Sequence, residues 1–354
     1  MGGRGMKLSM QVGYAGGFAE SVAQVRALEQ AGMDIVYVAE AYGYDAPSLM
    51  GYLAAVTETV QIASGILPIY TRTPTLLAMT AAGIDELSGG RCILGLGASG
   101  PQVIEGFHGV AYDAPIQRTR EIIDICRIVW KREEPLVHQG KKYQLPLPAD
   151  RGTGLGKPLK IITHPQRSAI PVHVASLGPR NVAMTAELAD GWLPILFHPE
   201  RAQDVWGADV DAGLALRSPD LGPLDVVAGG LLAIGPEDQV GGIRDFSRAM
   251  VALYVGGMGA RERNFYNQLF QRYGYEAEAK EIQDLYLDGN KREAAAAVPA
   301  SFLEETSLCG DEGYVRDRIA QYRDAGVTVL NVTPVAPDLA GQQRLVETVK
   351  GLMA

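Results

Sequence analysis

No stretch of this sequence approaches the roughly 20 apolar residues that a membrane-spanning helix needs. The opening Met1-Gly2-Gly3-Arg4-Gly5-Met6 has no apolar core for a signal peptide, and Met6 stands where myristoylation wants Ser or Thr. A cytoplasmic protein with no membrane partner is expected. Cysteine is scarce: Cys92, Cys126 and Cys309 are far apart and form no CxxC, which excludes a zinc ribbon or a redox pair and predicts isolated thiols. The five histidines, His108, His138, His164, His173 and His198, form neither HxH nor HExxH, so no metal site is expected. No GxSxG motif or nucleophile–base set is present. Positive charge is in deficit, 32 Lys and Arg against 41 Asp and Glu, and the net −9 argues against nucleic acid as a partner.

What is present is alternation. Eight short apolar runs read as strands: Lys7–Val12, Ile35–Ala39, Gln61–Ile66, Cys92–Leu96, Pro171–Ala175, Trp192–Phe197, Val226–Ile234 and Thr328–Thr333. Helical stretches lie between them. Ser21-Val22-Ala23-Gln24 reads as a capping box before the buried positions Val22, Val25 and Leu28, and Gly32 ends that helix. Thr73-Pro74, Pro115 and Pro179 open others. Another is marked by Val315, Ile319 and Tyr322, and a last by about 342–353. Eight strands, beginning with a strand and ending with a helix, predict an α/β (β/α)₈ TIM barrel, with a doubly wound sheet as the competing architecture. A single domain over 1–354 is expected, with insertions at about 133–170, 198–224 and 254–307, the last helical.

Several constellations bear on chemistry. Gly95-Leu96-Gly97-Ala98-Ser99-Gly100 matches GxGxxG, but Pro101 and the fourth-strand position disfavour a dinucleotide fold; a glycine-rich strand end that a flat ligand can approach fits better. Ser176-Leu177-Gly178-Pro179-Arg180-Asn181 passes from strand to helix, where free N–H groups and a cation suit a phosphate; a capped helix with a solvated Arg180 is the alternative. Residues 141–170 hold six cations against Asp150, net +5, where a polyanionic tail or only solvent would sit. His173 reads as a buried strand residue. Glu40, Tyr14, Tyr42, Tyr44, Tyr70 and His198 follow strand ends, where barrel active sites form. An aromatic mouth with one carboxylate and no nucleophile suggests that a conjugated cofactor supplies the chemistry.

With these segments in view the chain resembles the luciferase-like monooxygenase superfamily, and within it the coenzyme F420-dependent oxidoreductases of the methylene-tetrahydromethanopterin reductase-like branch. The resemblance rests on Val38-Ala39-Glu40-Ala41-Tyr42, Ser64-Gly65-Ile66-Leu67-Pro68 and Ser88-Gly89-Gly90-Arg91-Cys92 through Gly97, then on Val174 through Pro179 and Ala189-Asp190-Gly191-Trp192-Leu193-Pro194. It implies coenzyme F420 at the C-terminal mouth of a homodimeric barrel, hydride transfer to or from a small-molecule substrate, and FMN-dependent monooxygenation as the alternative. It further implies a non-proline cis peptide at Gly65–Ile66 behind the ring, with Gly97, Ala98 and Ser99 lining it. Ser176, Leu177, Gly178, Pro179, Arg180 and Asn181 would hold the phosphate, and the basic insertion would meet the glutamyl tail. Glu40 would contact the ring, and Tyr42, Tyr44 or His198 would donate a proton, with Tyr14, Tyr44 and Tyr70 toward the substrate. Relatives acting on sugar phosphates and alcohols carry Asp-His where this chain has Glu40-Ala41, and a Glu where it has Gly100, so their acid–base route is not expected here.

Overall fold

A computed structural model describes residues 5–13 and 17–353. Eight parallel strands close on themselves: β1 (Lys7–Val12), β2 (Ile35–Val38), β3 (Gln61–Ser64), β4 (Cys92–Gly97), β5 (Val172–Ala175), β6 (Gly191–Leu193), β7 (Asp225–Ala228) and β8 (Val329–Asn331). Each pairs with the next, and β8 returns to β1 through Lys7↔Val329 and Ser9↔Asn331. The expected TIM barrel is the observed fold, and closure removes the strand edges an open sheet would expose.

Alternation along the strands divides the core. Ile35, Tyr37, Ala63, Ile93, Val227 and Val329 form a cluster inside the barrel, with Leu193 against it. Their neighbours in sequence, such as Val36, Val38, Ile62, Leu94 and Val172, join the larger core shared with the helices. Helices Pro74–Ser88, Pro115–Lys131, Pro179–Leu188 and Glu312–Asp324 lie where the helix signals put them. Thr73 caps the first of these, accepting the Leu76 N–H at 3.2 Å.

The sixth strand is Gly191–Leu193, ending well short of the expected Phe197, and three further boundaries differ from expectation. The first helix is Phe18–Gln30, not a helix capped by Ser21: the Ser21 N–H already donates to the Gly17 carbonyl, so nucleation occurs earlier. The run Val226–Ile234 is two strands, because Leu231–Ile234 leaves the barrel to pair with Leu308–Gly310 and Thr333–Pro334. At the break, Gly229 and Gly230 pass so near the Asn331 and Thr306 carbonyls that a Cβ would lie 2.1 and 2.2 Å from them. The segment 198–224 carries helix Ala202–Leu214, which packs on Pro179–Leu188 and takes the place that a barrel gives to the helix after β6. The stretch 254–307 is helical as expected, with Phe265–Arg272, Glu276–Leu287, Lys291–Ala296 and Ala300–Glu305.

Two glycine substitutions separate packing from propensity. A Cβ on Gly95 would sit 1.7 Å from the Ser64 carbonyl oxygen, whereas one on Gly242, in helix Glu237–Arg244, meets nothing within 4 Å. By urea unfolding, Gly95→Ala is expected to cost about 3 kcal/mol or more. Gly242→Ala is expected to gain roughly 0.5–1 kcal/mol.

Candidate functional site

The C-terminal ends of β1 to β5 form the floor of the mouth. Beyond β3 the Gly65–Ile66 peptide is cis, as expected from the resemblance. Its segment is held from three sides. The Gly65 N–H donates to the Val38 carbonyl at 2.8 Å, and its carbonyl accepts from Gln11 Nε2 at 2.9 Å. Ser64 Oγ donates to the Gly95 carbonyl and accepts the Gly95 N–H, both at 2.8 Å. Gly97 packs under Ile66, where a Cβ would fall 2.7 Å from Ile66 Cγ1. The Gly95 and Gly97 pattern thus admits the Ser64–Ile66 segment. Ala98 follows half-buried and Ser99 exposed, the latter in the left-handed region at φ 56°.

Beneath that floor, Tyr37 Oη lies 2.9 Å from His173 Nδ1, a bond that crosses the lumen from β2 to β5. Both residues are buried. Burial pushes the imidazole down to about 4, against the pull of Asp225 and Asp190, and pushes the phenol well up. The pair is therefore neutral at physiological pH.

On the β5 side, helix Pro179–Leu188 begins without a side-chain cap. Its first turn faces open space: a Cβ on Gly178 would touch nothing within 4 Å. Arg180 is exposed and Pro179 beside it is too, while Asn181 Oδ1 is buried with no partner. Ser176 is buried, its hydroxyl 2.9 Å from that of Thr185, and the Leu177 carbonyl accepts the Trp206 indole N–H. An uncapped helix N-terminus with the exposed Arg180 guanidinium beside it makes a donor set suited to a phosphate.

The acid–base candidates separate. Both Glu40 oxygens hold Arg72, at 2.6 and 2.9 Å, and Oε2 also accepts the Ala46 N–H. His198 has no solvent exposure. It is packed on Tyr273 and Phe302, with Glu200 Oε2 3.2 Å from Nδ1 and Glu305 Oε2 2.8 Å from Nε2, neither aligned as a directed hydrogen bond. Burial raises the Glu200 carboxyl, but His198 and Arg318 outweigh it and bring it down to about 2. His198 is thus enclosed. Tyr42 is 67% exposed, and its ring lies 6.0 Å from Phe107. Tyr44 is also exposed and Tyr70 buried, its hydroxyl donating to the Asp113 carbonyl. Tyr14 lies outside the described residues.

Other groups at the mouth, Gln11, Arg72, Tyr112 and Arg118, were not singled out in the sequence, nor was Tyr37 beneath it. Arg118 lies over both Tyr70 and Tyr143, pairs with Asp113 at 2.6 Å, and borders a cleft of about 250 Å³ with Ile69 and Thr73. The signal for Gln11 was the alternation Leu8, Met10, Val12 outward and Ser9, Gln11 inward. The basic stretch 141–170 does not gather at the mouth. Lys142 pairs with Asp113 there, but Arg167 binds buried Asp85 and the Cys92 carbonyl at the opposite end of β4.

Residues 5–329 match the profile of the luciferase-like monooxygenase family. The chain is 42% identical over 338 residues to a Mycobacterium tuberculosis protein described as a coenzyme F420-dependent oxidoreductase, covering 93% of this chain and 95% of that one. It is 27% identical over 324 residues to the 5,10-methylenetetrahydromethanopterin reductase of Archaeoglobus fulgidus, covering 89% of each. The structure superposes on the coenzyme F420-dependent tetrahydromethanopterin reductase of Methanopyrus kandleri with a TM-score of 0.76 and 23% identity, covering 98% and 97%. Among the described residues, no helix is long and apolar enough to cross a membrane.

The depressed His173 sets a pH dependence. An unfolded histidine binds its proton near 6.5; this one, folded, binds it only near 4. Its stabilising contribution is complete above about 6.5 and is lost as pH falls through about 4. The His173 ring is expected to keep neutral-imidazole NMR shifts from pH 7.5 down to 5.5. A midpoint near 6.5 would contradict the cross-barrel pair.

Proposed function

The chain belongs to the luciferase-like monooxygenase family, and from that membership and the donors at its mouth we propose a coenzyme F420-dependent oxidoreductase. The carrying observation is the proposed phosphate seat: the uncapped Pro179 helix, the open space at Gly178 and exposed Arg180. The 42% identical relative favours the deazaflavin over FMN. Bound F420 would supply a two-electron carrier whose C5 gives or takes a hydride. Ser176, Leu177, Gly178, Pro179, Arg180 and Asn181 would hold its phosphate, while Gly65, Ile66, Gly97, Ala98 and Ser99 seat its ring, with Gln11 fixing the Gly65 carbonyl.

This chain's own task is then to position the substrate and move one proton. Glu40 orders the mouth by clamping Arg72 to the start of helix Ala46–Val56, since both its oxygens are engaged. His198 fastens the loop after β6 to the helical insertion. Of the acid–base candidates, Tyr42 and Tyr44 keep their side chains in solvent at the mouth, and Tyr42 takes the proton-donor role.

We also propose a homodimer. Helices Ala46–Val56 and Pro74–Ser88 pack side by side and expose Tyr52, Leu76, Met79 and Leu87, with Gly51 and Gly83 open beside them. A contiguous apolar face on two helices suits a twofold, self-complementary contact.

Fluorescence titration tests the cofactor. F420 is expected to bind, Arg180→Ala to weaken it roughly tenfold, and Tyr42→Phe to leave its affinity unchanged while slowing turnover about 100-fold. Tight FMN binding with no F420 binding would overturn the proposal. Met79→Glu is expected to shift sedimentation from dimer to monomer; an unchanged sedimentation coefficient places the contact elsewhere.

A further inference from the structure

We propose that the mouth selects a bulky, uncharged, apolar substrate, long-chain or polycyclic, through an aromatic rim that stands over the cis-peptide floor. The inference rests on the oxidoreductase reading only for what the substrate undergoes; the rim itself is independent of the cofactor.

The rim comes from three loops on the C-terminal face. Phe18 begins the helix after β1, Tyr42 and Tyr44 lie in the loop after β2, and Phe107 and Val110 follow the short helix Pro101–Gly106 after β4. Tyr44, Tyr42 and Phe107 are 70%, 67% and 66% exposed, and Val110 is 37% exposed. Their rings nevertheless associate: Phe18 meets Tyr44 edge-on at 5.4 Å, and Tyr42 lies 6.0 Å from Phe107. In the barrel β2 and β4 are separated by β3. A contact between the loops that follow β2 and β4 must therefore pass above the end of β3, where the Gly65–Ile66 segment lies. The exposed aromatics thus overhang the floor rather than decorate a remote surface.

Charge points the same way. The guanidinium groups nearest this rim are already matched, Arg72 by both oxygens of Glu40 and Arg118 by Asp113. An anionic substrate would have to displace one of those carboxylates, and the Arg72–Glu40 pair, at 14% and 8% exposure, is largely buried. An apolar one would cover rings that now face water, and contiguous exposed apolar surface of this kind marks a binding site. A bilayer would also favour such a surface, so the test includes one.

The neutral fluorophore N-phenyl-1-naphthylamine serves as the probe, titrated into the full chain with and without F420. We expect saturable binding that Phe107→Ser and Tyr44→Ser each weaken roughly tenfold or more. Both side chains are largely exposed, so the variants are expected to melt with the parent. Calorimetry with glucose 6-phosphate is expected to show no binding. Failure of the probe to bind, indifference to both substitutions, or displacement of the probe by glucose 6-phosphate overturns the inference. Flotation of the protein with neutral phosphatidylcholine vesicles, lost in Phe107→Ser, overturns it in favour of a membrane-docking rim. A chain that binds the probe at the rim but never binds F420 refutes the oxidoreductase reading and leaves the rim standing.

Discussion

The site depends on a reciprocal exchange between two strand ends. Ser64 Oγ gives a hydrogen bond to the Gly95 carbonyl and takes one from the Gly95 N–H. One hydroxyl thereby satisfies two buried backbone groups where the ordinary ladder between β3 and β4 is interrupted. The exchange requires a glycine, since any Cβ at position 95 would overlap the Ser64 carbonyl. From that anchor the chain turns through Gly65–Ile66, lays Ile66 over Gly97, and rejoins β4 by pairing Leu67 and Pro68 with Leu96 and Gly97. The mouth has a firm floor because backbone, not a mobile side chain, is what it presents.

Around that floor most charge is used internally. Glu40 holds Arg72, Asp113 holds Arg118 and Lys142, and Glu200 and Glu305 enclose His198. The conspicuous exception is Arg180, exposed at an uncapped helix terminus. An exposed cation beside an uncapped helix terminus is the feature on which the proposed binding of an anionic group rests.

The barrel was legible because its signals are local and repeated. Each apolar run, each helix opened by Thr73-Pro74, Pro115 or Pro179, and each glycine stop such as Gly32 carries its meaning within a few residues. Asp45-Ala46-Pro47-Ser48 is an equally clear start, with the Asp45 carboxylate accepting the Ser48 N–H, although the sequence reading did not pick out that helix. The proposed phosphate seat is local in the same way, being six consecutive residues. What escaped is long-range. Nothing near Glu40 foretells Arg72, and nothing near His198 foretells Glu305, because closure and the insertion bring them together. Composition counts the charges of the basic stretch but not where an extended chain carries them; Arg167 runs to the far end of β4 to neutralise buried Asp85. For Gln11 the strand period did carry a signal, since it turns every second residue into the lumen.

The central claim is that the cis-peptide floor and the Pro179 helix form one seat for one cofactor. A crystal structure of the protein with F420 bound tests it most directly. The account predicts the deazaflavin ring against Gly65–Ile66 and the phosphate at Gly178, Arg180 and Asn181. A ring seated elsewhere, or a phosphate held by the basic stretch 141–170 while the helix terminus faces only water, would contradict it.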